Sequence, residues 1–343
     1  MRDTYHHLVH RKRNTSKERR PSDVHTQFSR RPVGAATNSP VPATHTPAQL
    51  PGNQYSAWHR GVYQARKLST GRSLQSAGSI NLISQLSPEE RERGVIAAST
   101  GNHGQSIAYA ARLFGVKARI VVPDAANPGK VAAMQGMGAE VLFHGAHYDE
   151  ARLHCEALAQ EHGYRYIHSG NEPLLIAGVG TGVLEMLEDE PGIHTLIVPV
   201  GGGSGAAGAC IAAHAINPAI RVIGVQSEAS PAAYESWRQH RLVEVPNHTF
   251  AEGLATATAF DLPQTILWEM LDDFMLVRDE EIMQAMVWMI ERAHTLAEGA
   301  GAASLAAAYS MRDELRGKKV GLVCSGGNTS LEHLKQALAS AIR

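Results

Sequence analysis

Hydrophobic and polar positions change their spacing repeatedly from Ile80 onward, and each change predicts an element. Ile80 to Leu86 is apolar at helical intervals. Ser87-Pro-Glu-Glu90 then reads as the start of a short helix, with a capping serine and proline in the first turn. Val95 to Ala98 is a continuous apolar run of strand length, followed by a helix over Gln105 to Phe114. The same alternation predicts strand Ala118–Pro123, helix Pro128–Met137, strand Glu140–Phe143, helix Tyr148–His162 and strand Arg165–His168. A second series predicts helix Gly178–Leu187, strand Leu196–Val200, helix Ala206–Ala215 and strand Arg221–Gln226. Helices over Leu262–Leu271, Asp279–Ala297 and Ala302–Leu315 follow, and then a last strand, Lys319–Cys324. Strands alternating with helices imply an α/β fold of parallel sheets with crossover helices.

Three of the predicted strands end in loops of small polar residues: Ser99-Thr-Gly-Asn-His-Gly104, Gly201-Gly-Gly-Ser-Gly205 and Ser325-Gly-Gly-Asn328. In open α/β sheets ligands bind at the carboxyl ends of strands. The second loop runs straight into an alanine-rich helix, so glycine backbone and helix-terminal N–H groups face the same point, where an anion such as phosphate is favoured. A tight turn with no ligand would use the same residues. The loop fits neither the G-x-G-x-x-G dinucleotide pattern with its acidic partner nor G-x-x-x-x-G-K-S/T. Three such loops can converge on one anionic ligand, which is a stronger signal than any one of them.

Residues 1–78 have a different texture. Arg11-Lys-Arg13 and Arg19-Arg20 are basic, Pro, Ser, Thr, His and Gln dominate, and no period of two or of 3.6 is sustained. That composition predicts a solvated, disordered tail; a basic nucleic-acid arm is the rival reading. Bulk charge gives that rival no support, because the formal net charge of the 343 residues is -1. No apolar run approaches a membrane span. Cys155, Cys210 and Cys324 lie far apart without metal-ligand spacing, which predicts no disulfide framework and a reducing, cytoplasmic location.

Taken together, S-T-G-N-H-G-Q from Ser99, P-V-G-G-G-S-G from Pro199, A-E-G-L-A from Ala251, E-G-A-G-A from Glu298 and C-S-G-G-N from Cys324 resemble the fold-type II pyridoxal-phosphate enzymes, specifically the threonine/serine dehydratase group. The resemblance covers residues 79–343. It implies a tryptophan-synthase-β-like α/β fold of two parallel-sheet, three-layer domains with pyridoxal 5'-phosphate between them. The small domain is expected over 94–170 and the large one over 79–93 and 171–343. Gly201, Gly202, Gly203, Ser204 and Gly205 would hold the cofactor phosphate, Asn102 the ring hydroxyl and Ser325 the ring nitrogen, with Glu298 beside the ring. Ser99, Thr100, Gly101, Asn102 and His103 would bind the substrate carboxylate, and Ser99 and Thr100 would stand with position 75 as the catalytic positions. The implied reaction is deamination of threonine or serine to a 2-oxo acid and ammonia. The implied partners are a small amino acid and further copies of the chain, as a homodimer or homotetramer, without nucleic acid or membrane. Some serine-racemizing relatives bind a divalent ion through an acidic residue after the strand at 221–225. Here Gln226 stands there, and no metal is expected.

One departure is chemical. The family carries a Schiff-base lysine in an S/A-F-K-x-R-G-A segment, and here Ser73-Leu-Gln-Ser-Ala-Gly-Ser79 puts Gln75 at its position. A glutamine amide is neither a nucleophilic amine nor a base near neutral pH. Lys117, Lys130, Lys318 and Lys319 flank helices or strands and are expected away from the three loops; Lys67 lies in the tail. Reverse-translating Gln64 to Gly78 and reading one base later can give K-L-E-N-F-Q-P-x-G-A-F-K-V-R-G, the family's own pattern. The shift also turns Thr44-His-Thr-Pro47 into R-T-P-L. Residues 1–43 are therefore read as a tail and 44–78 as a frame-shifted remnant of a family N-terminus. The alternatives are another β-elimination or β-replacement enzyme of this fold, of threonine- or cysteine-synthase type, or a catalytically dead homologue that only binds ligand.

Overall fold

The computed structural model describes residues 62–64, as backbone, and 73–341. The predicted tail at 1–43 and most of the remnant at 44–78 lie outside the described residues. In chain order the elements are β1 (Val62–Gln64), α1 (Gln75–Ser84), α2 (Pro88–Arg93), β2 (Val95–Ala98), α3 (Asn102–Phe114), β3 (Ala118–Val122), α4 (Pro128–Gly136), β4 (Glu140–Phe143), α5 (Tyr148–His162) and β5 (Arg165–Tyr166). They continue with α6 (Pro173–Asp189), β6 (Thr195–Pro199), α7 (Ser204–Ile216), β7 (Arg221–Ser227), α8 (Ala232–Gln239), α9 (Asp261–Met270), β8 (Asp273–Val277), α10 (Asp279–Ala293), α11 (Gly299–Ser310), β9 (Val320–Leu322) and α12 (Leu331–Ala341).

Two parallel sheets result. A four-stranded sheet has the order β4-β3-β2-β5, and a five-stranded sheet the order β1-β9-β6-β7-β8. β1 adds to β9 in the register Val62↔Val320, Tyr63↔Gly321, Gln64↔Leu322. β2, β6 and β7 are almost wholly buried, which suits strands covered by helices on both faces.

α1 joins the two halves. It packs between α3 and α6, with Leu82 and Ile83 fully buried and Ser79 Oγ 2.8 Å from Ser106 Oγ on α3. Each such aliphatic side chain contributes about 1.5–3 kcal/mol by leaving water. Close approach to α6 depends on glycines. A Cβ on Gly178 would lie 2.5 Å from the Ala77 carbonyl oxygen and 2.6 Å from Gly78 Cα. α2 has the expected cap, with Ser87 Oγ accepting from Glu90 N and the Glu90 carboxylate accepting from Ser87 N.

Boundaries differ where tertiary contacts decide. α6 begins at Pro173 rather than Gly178, because Pro fits the first helical turn and the glycines beyond it are held by packing. The helix expected to reach Ala297 stops at Ala293, where His294 takes a left-handed φ of 49°. That expected over Ala302–Leu315 runs from Gly299 to Ser310. The strands expected to reach His168 and Cys324 end at Tyr166 and Leu322. α8, β8 and α12 were not anticipated; nor were β1 and the first turn of α1, which fall within the residues expected to be disordered and are ordered by pairing with β9 and by packing on α6. In β8 only Phe274 and Val277 are buried, so its apolar pattern is weak. Among the described residues no helix is long and apolar enough to cross a membrane.

Candidate functional site

The carboxyl ends of β2, β6 and β9 bring the three small-residue loops to one cleft, and the start of α1 joins them. After β6 the chain turns through Gly201 to Gly203, which caps α7 at a φ of +92°. The first rung of α7 is Ala207 N to Gly203 O, 2.9 Å, so the N–H groups of Ser204, Gly205 and Ala206 precede the helical ladder. A Cβ on Gly201 would overlap the Gly253 carbonyl, and one on Gly202 would overlap the Phe260 ring. The loop therefore has no room for side chains and presents main chain to the cleft, as an anion cradle requires.

After β2, Ser99 Oγ accepts from Gly101 N at 3.2 Å and Gly104 N at 2.9 Å, folding the loop onto the start of α3. Thr100 is exposed and Ser99 and His103 are buried. His103 Nε2 is 3.2 Å from the Ile167 carbonyl, so that nitrogen carries the hydrogen and donates. Its Nδ1 is buried without a partner among the described residues. Burial pushes the imidazole down to about 4, helped by the nearby His168 and opposed by the Ile167 carbonyl. His103 is neutral at pH 7.

Asn102 faces the third loop. Its Nδ2 donates to Glu298 Oε1 at 2.6 Å, and its Oδ1 accepts from Asn328 Nδ2. Glu298 caps α11, and its N–H donates to the Gly326 carbonyl at 3.1 Å. Burial of its carboxyl raises the pKa, opposed by the Asn102 hydrogen bond and by Lys130.

Gln75 enters through backbone contacts made by its neighbours. Ser73 pairs with Gly326, and Leu74 N donates to the Ser325 carbonyl at 2.8 Å. A Leu74 methyl lies 3.4 Å from where a Cβ on Gly205 would sit. Position 75 thus opens α1 between the glycine cradle and the Ser325 turn. Ser73 Oγ and Ser76 Oγ beside it are buried without hydrogen-bond partners among the described residues.

One expectation is overturned. Lys130 does not lie away from the loops: it ion-pairs with Glu252, and its Nζ is 3.9 Å from the Cβ position of Gly101. Residue order hid this, because Lys130 sits in the first turn of α4 and helical side chains lean toward the N-terminus, here back over the Ser99–Gly104 loop. Glu252 lies inside the A-E-G-L-A segment, yet nothing in its spacing gives it a partner. Phe260 also lines the site unforeseen, while Asn328 stands in the third loop as expected but with an unforeseen partner, Asn102. The Gln226 amide oxygen accepts from Ala233 N and Tyr234 N, both at 3.1 Å, and so holds the start of α8.

The family model described as pyridoxal-phosphate dependent enzyme matches residues 65–326. The chain is 39% identical over 267 residues to the L-threonine ammonia-lyase of Thermotoga maritima, covering 78% of this chain and 66% of that protein. It is 39% identical over 263 residues to the catabolic L-threonine dehydratase TdcB of Staphylococcus aureus, covering 76% of each. Among solved structures, the processed form of threonine deaminase isoform 2 from Solanum lycopersicum superposes with a TM-score of 0.80 at 28% identity, over 86% of this chain and 88% of that one.

Proposed function

The chain belongs to the pyridoxal-phosphate dependent enzyme family, and from that premise we propose that it is a threonine/serine dehydratase in design whose present sequence has lost the covalent cofactor anchor. The observation that carries this reading is the convergence of four segments on one cleft with Gln75 where the amine belongs.

Fit of the cofactor divides into two parts. The non-covalent part suits it: Gly201 to Gly205 offer main-chain N–H groups to a phosphate, Asn102 and Ser325 flank the place of a ring, and Glu298 lies next to Asn102. The covalent part does not, since Gln75 has no amine. When bound, the cofactor supplies an electron sink for the bond to the substrate Cα hydrogen. The chain's own residues do the rest. Ser99 to His103 bind and orient the carboxylate through loop N–H groups and hydroxyls, and neutral His103 adds no charge of its own. The Gln75 amide is not a base near neutral pH and cannot take the Cα proton, so the chain as written binds without deaminating. The Phe260 ring packs on Gly202 and the Pro263 ring on Gly203, which fixes the turn that opens the cradle.

The small domain of this reading comprises residues 94–170 and the large one 79–93 and 171–343; the division is supported by the change of sheet between β5 and β6. Substrates are small amino acids of the threonine and serine class, and the working form is a cytoplasmic homodimer or homotetramer. Residues 44–78 are the out-of-frame translation of the family N-terminus. The second reading, a homologue that binds ligand without turnover, is favoured for the chain as written by Gln75 alone.

The test compares the chain with a version whose reading frame is restored from Thr44 to Gly78. Each is treated with pyridoxal phosphate, reduced with borohydride, digested and analysed by mass spectrometry, with 2-oxo acid release from threonine measured in parallel. The restored chain is expected to carry the adduct at position 75 and to deaminate threonine; the present chain is expected to do neither. A phosphopyridoxyl lysine and 2-oxo acid from the present chain would overturn the proposal.

A further inference from the structure

The Lys130–Glu252 pair crosses the cleft. Lys130 belongs to α4, which packs beside the four-stranded sheet; Met134 on the same helix sits 2.5 Å from the Cβ position of Gly104. Glu252 belongs to the other side. Its neighbour Gly253 presses the Gly201 backbone, and a Cβ on Gly253 would lie 2.7 Å from Ala300 Cβ and 3.8 Å from Glu298 Oε1. Lys130 is held at the helix start by Asn127, whose Oδ1 accepts from Gly129 N at 2.9 Å and Lys130 N at 3.3 Å.

The two partners differ in exposure. The Lys130 side chain is 13% exposed and the Glu252 side chain 49%. A mostly covered ammonium needs an anion beside it. A half-exposed carboxylate can return to water at little cost. The ammonium also lies beside the loop of N–H groups and hydroxyls formed by Ser99 to His103. A ligand carboxylate seated on that loop would offer Lys130 a second partner within a small rotation of its side chain, and Glu252 would then be released to solvent.

We propose that Lys130 is a substrate-binding residue that exchanges partners: Glu252 holds its ammonium until the substrate carboxylate takes it over. The proposal rests on the dehydratase reading for the identity of the substrate. It gives the loop a cation that the neutral His103 does not supply. It also makes Glu252 a competitor of the substrate, so removing its charge strengthens carboxylate binding.

The opposite signs make the idea testable. L-threonine and L-threoninamide, which lacks the carboxylate, are titrated by calorimetry into the full chain saturated with pyridoxal phosphate. The same titrations are run on Lys130→Gln, Lys130→Arg and Glu252→Gln, with thermal unfolding followed for each. Lys130→Gln is expected to weaken L-threonine about tenfold, Lys130→Arg to retain most of the affinity, and Glu252→Gln to tighten it severalfold. L-threoninamide is expected to respond to none of them. If Lys130→Gln and Glu252→Gln both weaken L-threonine, or if L-threoninamide follows the same pattern, the pair is a structural tie and the proposal is wrong. Binding of pyridoxal phosphate without L-threonine would remove the proposal and leave the family reading standing. Loss of both would remove the two together.

Discussion

His103 ties the candidate carboxylate loop to pH. Its imidazole is buried, donates from Nε2 to the Ile167 carbonyl, and is pushed down from 6.5 to about 4. Between those values the unfolded chain binds a proton that the folded chain refuses, so stability rises with pH across that window. The stabilisation is complete above the unfolded value and is lost as pH falls toward the folded one. Taking 6.5 and about 4 as the limits, at about 1.4 kcal/mol per pH unit, the loss is ~3 kcal/mol. His168, also lowered by burial, works in the same direction. The perturbation is His103→Gln, which keeps an N–H donor and cannot titrate. Urea unfolding at several pH values from 7.5 to 4 would be measured for both proteins. The carboxylates common to both cancel in the difference. The unaltered chain is expected to lose ~3 kcal/mol more than the variant across the window. Parallel stability curves across that range would refute the account.

Two further outcomes follow from the glycines. Gly202→Asp is expected to abolish pyridoxal phosphate binding, measured by fluorescence titration, because it puts bulk into the Phe260 ring and a negative charge where N–H groups face an anion. Gly178→Ala is expected to cost about 1–3 kcal/mol by chemical denaturation, since its methyl would lie 2.5 Å from the Ala77 carbonyl oxygen and force α1 away from α6. The same variant should weaken cofactor binding, because α1 carries position 75 and Leu74 abuts Gly205.

Much of the site was legible because loop chemistry is local. Glycines at Gly201 to Gly203, a strand before them and alanines after them announce a tight strand-to-helix turn, with or without an anion, whatever surrounds it. Asn102, Ser325 and Glu298 came from family motifs, and the geometry brings Asn102 and Glu298 into hydrogen-bond contact. The sequence also showed that Gln75 cannot serve as an amine. What it hid was partnership across the cleft. Lys130 and Glu252 are separated by 122 positions, and Asn102 and Asn328 by 226; no periodicity reports such pairs. β8 was hidden for another reason, since Asp273, Met275 and Leu276 are only partly buried and the alternation is blurred. The helix ends at Ala293 and Ser310 are set by a left-handed His294 and by turns after Met311.

The backbone pairing of Ser73 with Gly326 and of Leu74 with Ser325 carries a consequence for how the protein is made. The segment that bears position 75 meets its receptor about 250 residues later in synthesis. Contacts so distant along the chain carry a high entropic cost and form late. A ribosome-bound chain must therefore release the turn after β9 before the cleft can close around α1. The cradle at Gly201 to Gly205, with the Gly253 carbonyl and the Phe260 ring that pack on it, is synthesised earlier and can assemble before that turn. A nascent chain would acquire its affinity for phosphate before it acquires the place where an amine could act, so cofactor capture and covalent attachment would be separate events in time. Truncated chains ending before Cys324 should then retain the first and lack the second even when position 75 is lysine.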